Sequence, residues 1–115
     1  MRQHWNRHEC FLVAEHQGHV LGFVDMALQE PQRAGWINGF VVDRRYRRRG
    51  IGRALLKSAR AWAEQRDLRV IMLETQPKNH PAIHFYLQQG FYFCGYNDQY
   101  YNDEDIALFF ACRLR

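Results

Sequence analysis

The residues best equipped for chemistry begin with Arg47-Arg48-Arg49-Gly50-Ile51-Gly52-Arg53, which lie between an apolar run ending at Val42 and a helix-periodic segment starting near Gly50. The first amides of a helix have no intrahelical partner and carry the positive end of its dipole. Glycines at 50 and 52 remove the Cβ atoms that would hold a pyrophosphate off the backbone, so consecutive N–H groups can wrap the anion while arginines add outer charge. The same glycines would also serve a tight turn within a solvated basic loop. No Gly-Lys-Ser/Thr follows, so this is not a Walker loop. Glu74, 22 residues beyond Gly52, imitates a dinucleotide-binding unit. Leu55 nevertheless stands at the third-glycine position, and the preceding strands read as an antiparallel hairpin.

The elements that position this turn follow from periodicity. Phe11 to His16, a turn at Gln17-Gly18-His19, and Val20 to Leu28 read as a hairpin. Trp36 to Val42 reads as a further strand, with Gly39 as a bulge or a site of close backbone approach. Ile51, Leu55, Ala59 and Trp62 give one face of an amphipathic helix ending near Arg66. Val70 to Thr75 suits a strand covered on both faces. Asn79 caps a second helix with Pro81 in its first turn, Ile83 and Leu87 on one face, and Gly90 as its left-handed stop. Phe91 to Tyr96 and Ile106 to Leu114 read as closing antiparallel strands joined by the acidic, tyrosine-rich stretch 97–105. The fold class is α/β, a mixed sheet led by a hairpin, with two main helices.

The 115 residues suffice for one domain, here 1–115, and 47% apolar with 24% charged residues is ordinary globular composition. The net charge of +4 is local: six of the sixteen Lys and Arg residues are Arg44, Arg45, Arg47, Arg48, Arg49 and Arg53, and without them the chain carries −2. That disfavours a general polyanion binder, so no nucleic-acid partner is expected. Cys10, Cys94 and Cys112 form no CxxC pair, and neither a membrane span nor a leader is legible, so the expectation is a cytoplasmic protein without a membrane partner.

Two blocks in the right order carry a family resemblance. Arg47-x-x-Gly50-x-Gly52, followed by Leu73-Glu74-Thr75 and then Asn79-x-x-Ala82-Ile83-x-Phe85-Tyr86-x-x-x-Gly90-Phe91, resembles the GNAT superfamily of acetyl-CoA-dependent N-acetyltransferases. The resemblance covers Val20 to the C-terminus, with the acetyl-CoA-binding core about 20–91. Leu73-Glu74-Thr75-Gln76 and Asp105-Ile106-Ala107-Leu108-Phe109-Phe110 look like the streptothricin acetyltransferase branch. The spacing of Glu74, Asn79 and Tyr86 also resembles ribosomal-protein N-terminal acetyltransferases.

The resemblance implies a mainly antiparallel sheet with splayed central strands. The pantetheine arm of acetyl-CoA would add along Phe40, Val41 and Val42, and the pyrophosphate would sit on the amides of Arg47 to Gly52, with Arg48 and Arg53 toward the outer phosphates. It implies that Asn79 bonds the cofactor arm and that Tyr86 lies near the thioester sulfur. The residues themselves also allow a helix cap at Asn79 and a core aromatic at Tyr86. An alkyl amine of pKa near 10.4 needs about 4.6 kcal/mol to become neutral at pH 7. Glu74 is the expected base, its bland alternative being an ion pair with an arginine. An amide near Val41 or Val42 is the expected oxyanion donor, and Tyr86 the expected acid for the leaving thiolate.

Histone-type members place a glutamate early on the fourth strand, where this chain has Trp36. Members also begin with a strand and one or two helices that wall the acceptor pocket, whereas this chain reaches the second family strand by Phe11. The expected acceptor is a small cationic amine such as an antibiotic or polyamine. A protein N-terminus or lysine and a non-catalytic CoA-binding regulator are the alternatives; the abbreviated acceptor side reads either as that of a fragment or as one that a partner subunit, in a homodimer, completes. No metal is expected, since the pairs His4/His8 and His80/His84 lack a third ligand. Cys94 reads as a small core residue. Tyr96, Tyr100, Tyr101 and the acids Asp98, Asp103, Glu104 and Asp105 would either line a cationic pocket or form a solvated loop.

Overall fold

A computed structural model describes residues 2–6, 9–47, 49–98 and 106–114, the first five through their backbone alone. Strands β1 (Arg2–Asn6), β2 (Glu9–His16), β3 (His19–Gln29) and β4 (Ala34–Val42) lead into helix α1 (Ile51–Gln65). Strand β5 (Val70–Thr75), helix α2 (His80–Gln88) and strands β6 (Tyr92–Asn97) and β7 (Ala107–Arg113) complete the chain. The seven strands form one sheet in the order β1-β2-β3-β4-β5-β7-β6, antiparallel throughout except where β4 meets β5. The mixed α/β class and both helices match the reading from sequence.

The β2–β3 turn has positive φ at both Gln17 (51°) and Gly18 (81°), the two-residue geometry whose twist matches a hairpin. Strand β1 is the correction to the sequence reading, which placed no element before Phe11. Arg2-Gln3-His4-Trp5-Asn6 has a single apolar residue and no alternation to reveal a strand, and what it does have is a β2 edge to pair with, from Arg2 opposite Val13 to Asn6 opposite Glu9. His4 is therefore in a strand rather than on a helix face, while His8 lies outside the described residues.

Both helices pack on one face of the sheet. Helix α1 buries Leu55, Leu56, Ala59, Trp62 and Ala63, and these join Leu12, Val24, Met26, Ile37, Ile71, Leu73, Phe110 and Tyr86 of α2 in one core. Truncating a residue such as Leu55, which is fully buried, to Ala costs about 2–5 kcal/mol. Helix α2 buries Tyr86 and leaves Leu87 exposed, so its inner face is turned by about one residue from the expected Ile83/Leu87 line. Phe11, Phe23, Asp25, Trp36, Met72, Glu74 and Phe109 alternate with core positions and so belong to the opposite face. Cys94 is exposed, a second correction: the register passes from Phe93–Phe110 to Gly95–Phe109 and leaves Cys94 as the extra residue of a bulge on the outer strand β6. No helix among the described residues is long and apolar enough to cross a membrane.

Candidate active site

The site is built on an opening between β4 and β5. Their parallel pairing runs only from Ala34–Val70 to Trp36–Met72, after which β5 continues to Thr75 paired with β7 alone and β4 continues to Val42 paired with β3 alone. A bulge sits at the mouth of this splay. Asp25 faces Gly39 while Met26 faces Ile37, which leaves Asn38 as the extra residue of β4. The bulge expected at Gly39 is there, one residue earlier. It also inverts the alternation, so that Phe40 and Val42 pack with Ile37 against the helices, while Gly39 and Val41 join Asp25 and Phe23 on the far face.

The bulge decides which backbone groups are available. Asp43 N–H donates to Leu21 C=O at 2.8 Å, which fixes the phase of the β3–β4 ladder. Val41 then turns its N–H and C=O to Phe23, whereas those of Phe40 and Val42 face the splay. Of the three expected positions, two are thus turned toward the opening and Val41 is turned away. Arg47 Nε donates to Val42 C=O at 3.5 Å.

At the start of α1, Gly50 adopts φ +78° with no side-chain cap, and Gly50 C=O accepts the first helical bond from Ala54. The amides of the first turn, from Gly50 to Arg53, have no intrahelical acceptor. The two glycines serve different ends. A Cβ on Gly50 would meet nothing within 4 Å, so only its backbone angle requires glycine. A Cβ on Gly52 would stand 3.1 Å from Phe85 Cζ and 3.2 Å from Phe40 Cζ. Besides the cofactor approach expected from the sequence, its missing side chain lets α1 close onto the aromatic ring set. Arg45 is engaged by Asp43 at 3.2 Å, and the Arg45 and Arg49 guanidinium groups lie over the Tyr46 ring at 5.8 and 5.6 Å. Arg48 lies outside the described residues, as do Tyr100, Tyr101, Asp103, Glu104 and Asp105. Arg53 lines a cavity of about 270 Å³ with Lys57 and Arg60, one and two turns further along α1, against Ile71, Phe91 and Cys112.

Glu74 and Tyr86 flank the splay from its two faces. Glu74, half-buried, alternates with the buried Leu73 and Thr75 and sits opposite Phe109 of β7. Tyr86 belongs to the helix-side core, its ring 6.1 Å from Phe40, 5.7 Å from Phe85 and 5.7 Å from Phe91. Burial first, and the Glu74 charge second, push the Tyr86 phenol up to about 12. Asn79 Oδ1 accepts from Ala82 N–H at 3.4 Å and caps α2, which is the bland role the sequence allowed.

Sequence reasoning passed over Asp25. Its Oδ1 is buried and makes no hydrogen bond among the described residues. A lone acid inside the apolar run Phe23-Val24-Asp25-Met26 was the available signal, because a desolvated carboxylate is costly unless something compensates it. The Phe40/Phe85 stack, with centroids 5.7 Å apart, was equally invisible, since it joins two distant elements.

Comparison with known proteins identifies this architecture. Residues 1–91 match the acetyltransferase (GNAT) family. The chain is 32% identical over 91 residues to the streptothricin acetyltransferase of Streptomyces lavendulae, covering 79% of this chain and 48% of that one. It is 32% identical over 124 residues to an N-alpha-acetyltransferase of Sulfurisphaera tokodaii, covering 97% and 74%. Among solved structures, nourseothricin acetyltransferase superposes with TM-score 0.90 at 29% identity over 95% of this chain and 67% of that one. A Bacillus anthracis protein assigned as a streptothricin acetyltransferase and solved with acetyl coenzyme A gives 0.88 at 27%, over 94% and 64%. The chain spans about half the length of the first of these relatives. A splayed sheet, first-turn amides of α1 without an intrahelical acceptor and this set of matches lead to one conclusion: the chain belongs to the acetyltransferase (GNAT) family.

Proposed function

We propose that the protein is an N-acetyltransferase that moves the acetyl group of acetyl-CoA to a primary amine of a small cationic molecule by direct attack. The observation that carries this reading is the opening beyond Trp36 and Met72, with a carboxylate on one face and a buried phenol on the other. The residues present fit the cosubstrate. The first-turn amides from Gly50 to Arg53 would hold the pyrophosphate, with Arg47 and Arg49 in the adjoining turn. The β4 edge at Phe40 and Val42 would pair with the amides of the pantetheine arm, and the donor side of the Asn79 amide is what its cap leaves for that arm. When bound, acetyl-CoA supplies a thioester carbonyl activated toward nucleophiles.

Glu74 takes the amine proton, directly or through water, and so lowers the roughly 4.6 kcal/mol needed to present a neutral amine at pH 7. The Val42 N–H, turned into the splay, is placed to stabilise negative charge on the carbonyl oxygen. Tyr86, its phenol held at about 12, keeps its proton at neutral pH and donates a hydrogen bond that steadies the departing thiolate, whose own pKa near 8.5 lets it leave as the anion. No residue need form a covalent link to the acyl group.

The test is a free-thiol release assay with acetyl-CoA and a panel of small primary amines. Release that requires both an amine and Glu74 is the expected result. Tight CoA binding with no release on any amine, peptide N-termini and lysine peptides included, overturns the reading in favour of a CoA-binding regulator.

A further inference from the structure

The far face of the sheet carries a second carboxylate that the reaction above does not use. Trp36 pairs with Ala27 on one side and Met72 on the other, so these three residues lie in one row across β3, β4 and β5. Two residues further along the outer strands, in the same direction, come Asp25 and Glu74. They flank β4 where Asn38 bulges and Gly39 carries no side chain. Two strand spacings separate them, about 10 Å before the splay widens the gap. Between them Gly39 has no side chain and the Phe23 ring covers its place: a Cβ on Gly39 would stand 3.3 Å from that ring and 3.8 Å from Asp25 Cβ. Phe23 stacks on Phe11 at 5.6 Å beside it, an apolar wall for a hydrocarbon chain.

Asp25 Oδ1 is shut off from water and makes no hydrogen bond among the described residues. With one oxygen dry and unpaired on a half-buried side chain, the charge is poorly compensated, and a cation brought to the other oxygen offsets that cost. From this placement we infer that Asp25 binds a second cationic group of the acceptor, which makes the acceptor a diamine or polyamine: one nitrogen reacts beside Glu74 while the other is anchored at Asp25. Contacts of about 2.8 Å at each carboxylate leave about 4.4 Å between the nitrogens before the splay widens the gap toward the span of a putrescine- or cadaverine-length chain. The methylenes between them run along the Phe23 ring that covers Gly39. This inference rests on the N-acetyltransferase reading for the role it gives Glu74.

The experiment compares putrescine with butylamine, equal in chain length and different by one ammonium group. Each is measured as an acceptor by thiol release and as a ligand by calorimetry on the CoA-saturated protein, for wild type, Asp25→Asn and Asp25→Glu. The expected result is at least about a tenfold preference of wild type for putrescine, in KM and in Kd. In Asp25→Asn the two amines come within about twofold, and Asp25→Glu regains part of the difference. Equal constants for the two amines in wild type, or a preference that survives in Asp25→Asn, overturns the role of Asp25. The wild-type comparison decides the matter even if Asp25→Asn does not fold. Absence of turnover with both amines would sink the acetyltransferase reading alone, because a diamine preference in calorimetry that depends on Asp25 would still support the second cation site.

Discussion

Glu74 and Tyr86 stand on opposite faces of the sheet, and the charge of the one raises the pKa of the other through the opening between β4 and β5. The strand alternation that buries Leu73 and Thr75 sends Glu74 to the far face, while α2 carries Tyr86 into the helix-side core among Phe40, Phe85 and Phe91. A carboxylate and a buried phenol thus approach the same gap from its two faces. Glu74→Gln is expected to lower kcat by about 10² to 10⁴, the usual worth of a positioned base, while CoA affinity by calorimetry stays within about twofold. Unchanged kcat at pH 7 would remove Glu74 from the chemistry.

The raised phenol also sets a stability limit. Tyr86 ionises near 10 in the unfolded chain and at about 12 in the folded one, so the folded state binds the proton more tightly. As pH rises from about 10 to about 12 the unfolded state gains by releasing it, and stability falls by about 3 kcal/mol in total. Below pH 10 the effect is absent. Tyr86→Phe is expected to flatten this alkaline loss in denaturant midpoints measured from pH 8 to pH 12. A wild-type curve as flat as that of Tyr86→Phe would show that burial does not hold the proton.

The parts of this architecture legible in the sequence are those written in local signals. The Gln17-Gly18 turn, the α1 stripe of Leu55, Ala59 and Trp62, the Asn79 cap and the Gly90 stop each depend on neighbours within a few residues, and each is found where expected. Strand β1 escaped because its stability comes from an edge contributed by β2. The free backbone groups at Phe40 and Val42 escaped in part because their direction is set by where the Asn38 bulge falls and by the Asp43–Leu21 bond. That the missing Cβ of Gly52 also makes room for Phe85, 33 residues away in sequence, could not be read locally. Asp25 gains meaning only when β3, β4 and β5 are aligned and Glu74 falls in the same row.

The two glycines of the turn are expected to fail differently. Gly50→Ala adds a methyl group to open space but strains a backbone at φ +78°, at a cost of about 1–2 kcal/mol. Gly52→Ala drives a methyl group into the Phe85 and Phe40 rings at 3.1 and 3.2 Å, overpacking that costs about 1–3 kcal/mol. Denaturation of the single and double variants separates the causes. Phe85→Leu should relieve Gly52→Ala, with a coupling of at least about 0.5 kcal/mol, and should leave Gly50→Ala uncoupled. Coupling of Phe85 to both glycines alike would mean that the turn moves as one body and that backbone strain is not the issue at Gly50.

The three cysteines offer a readout of the native core that needs no substrate. Cys10 is fully buried, and its thiol is pushed up to about 11 by burial, which the Arg66 charge eases and the Asp25 charge reinforces. Cys112 is 2% exposed, with the Arg60 guanidinium against its sulfur. Cys94 stands out on the β6 bulge, its pKa raised by partial shielding. Because the thiolate is the reacting species, a thiol reagent at pH 8 should label Cys94 alone, more slowly than it labels free cysteine, and should reach Cys10 and Cys112 only on unfolding. Labelling resolved by peptide mass gives the order directly. Modification of Cys10 at the rate of Cys94 would mean that the β2–β3 core opens in the native state, and the register that places Asp25 beside Gly39 would fall with it.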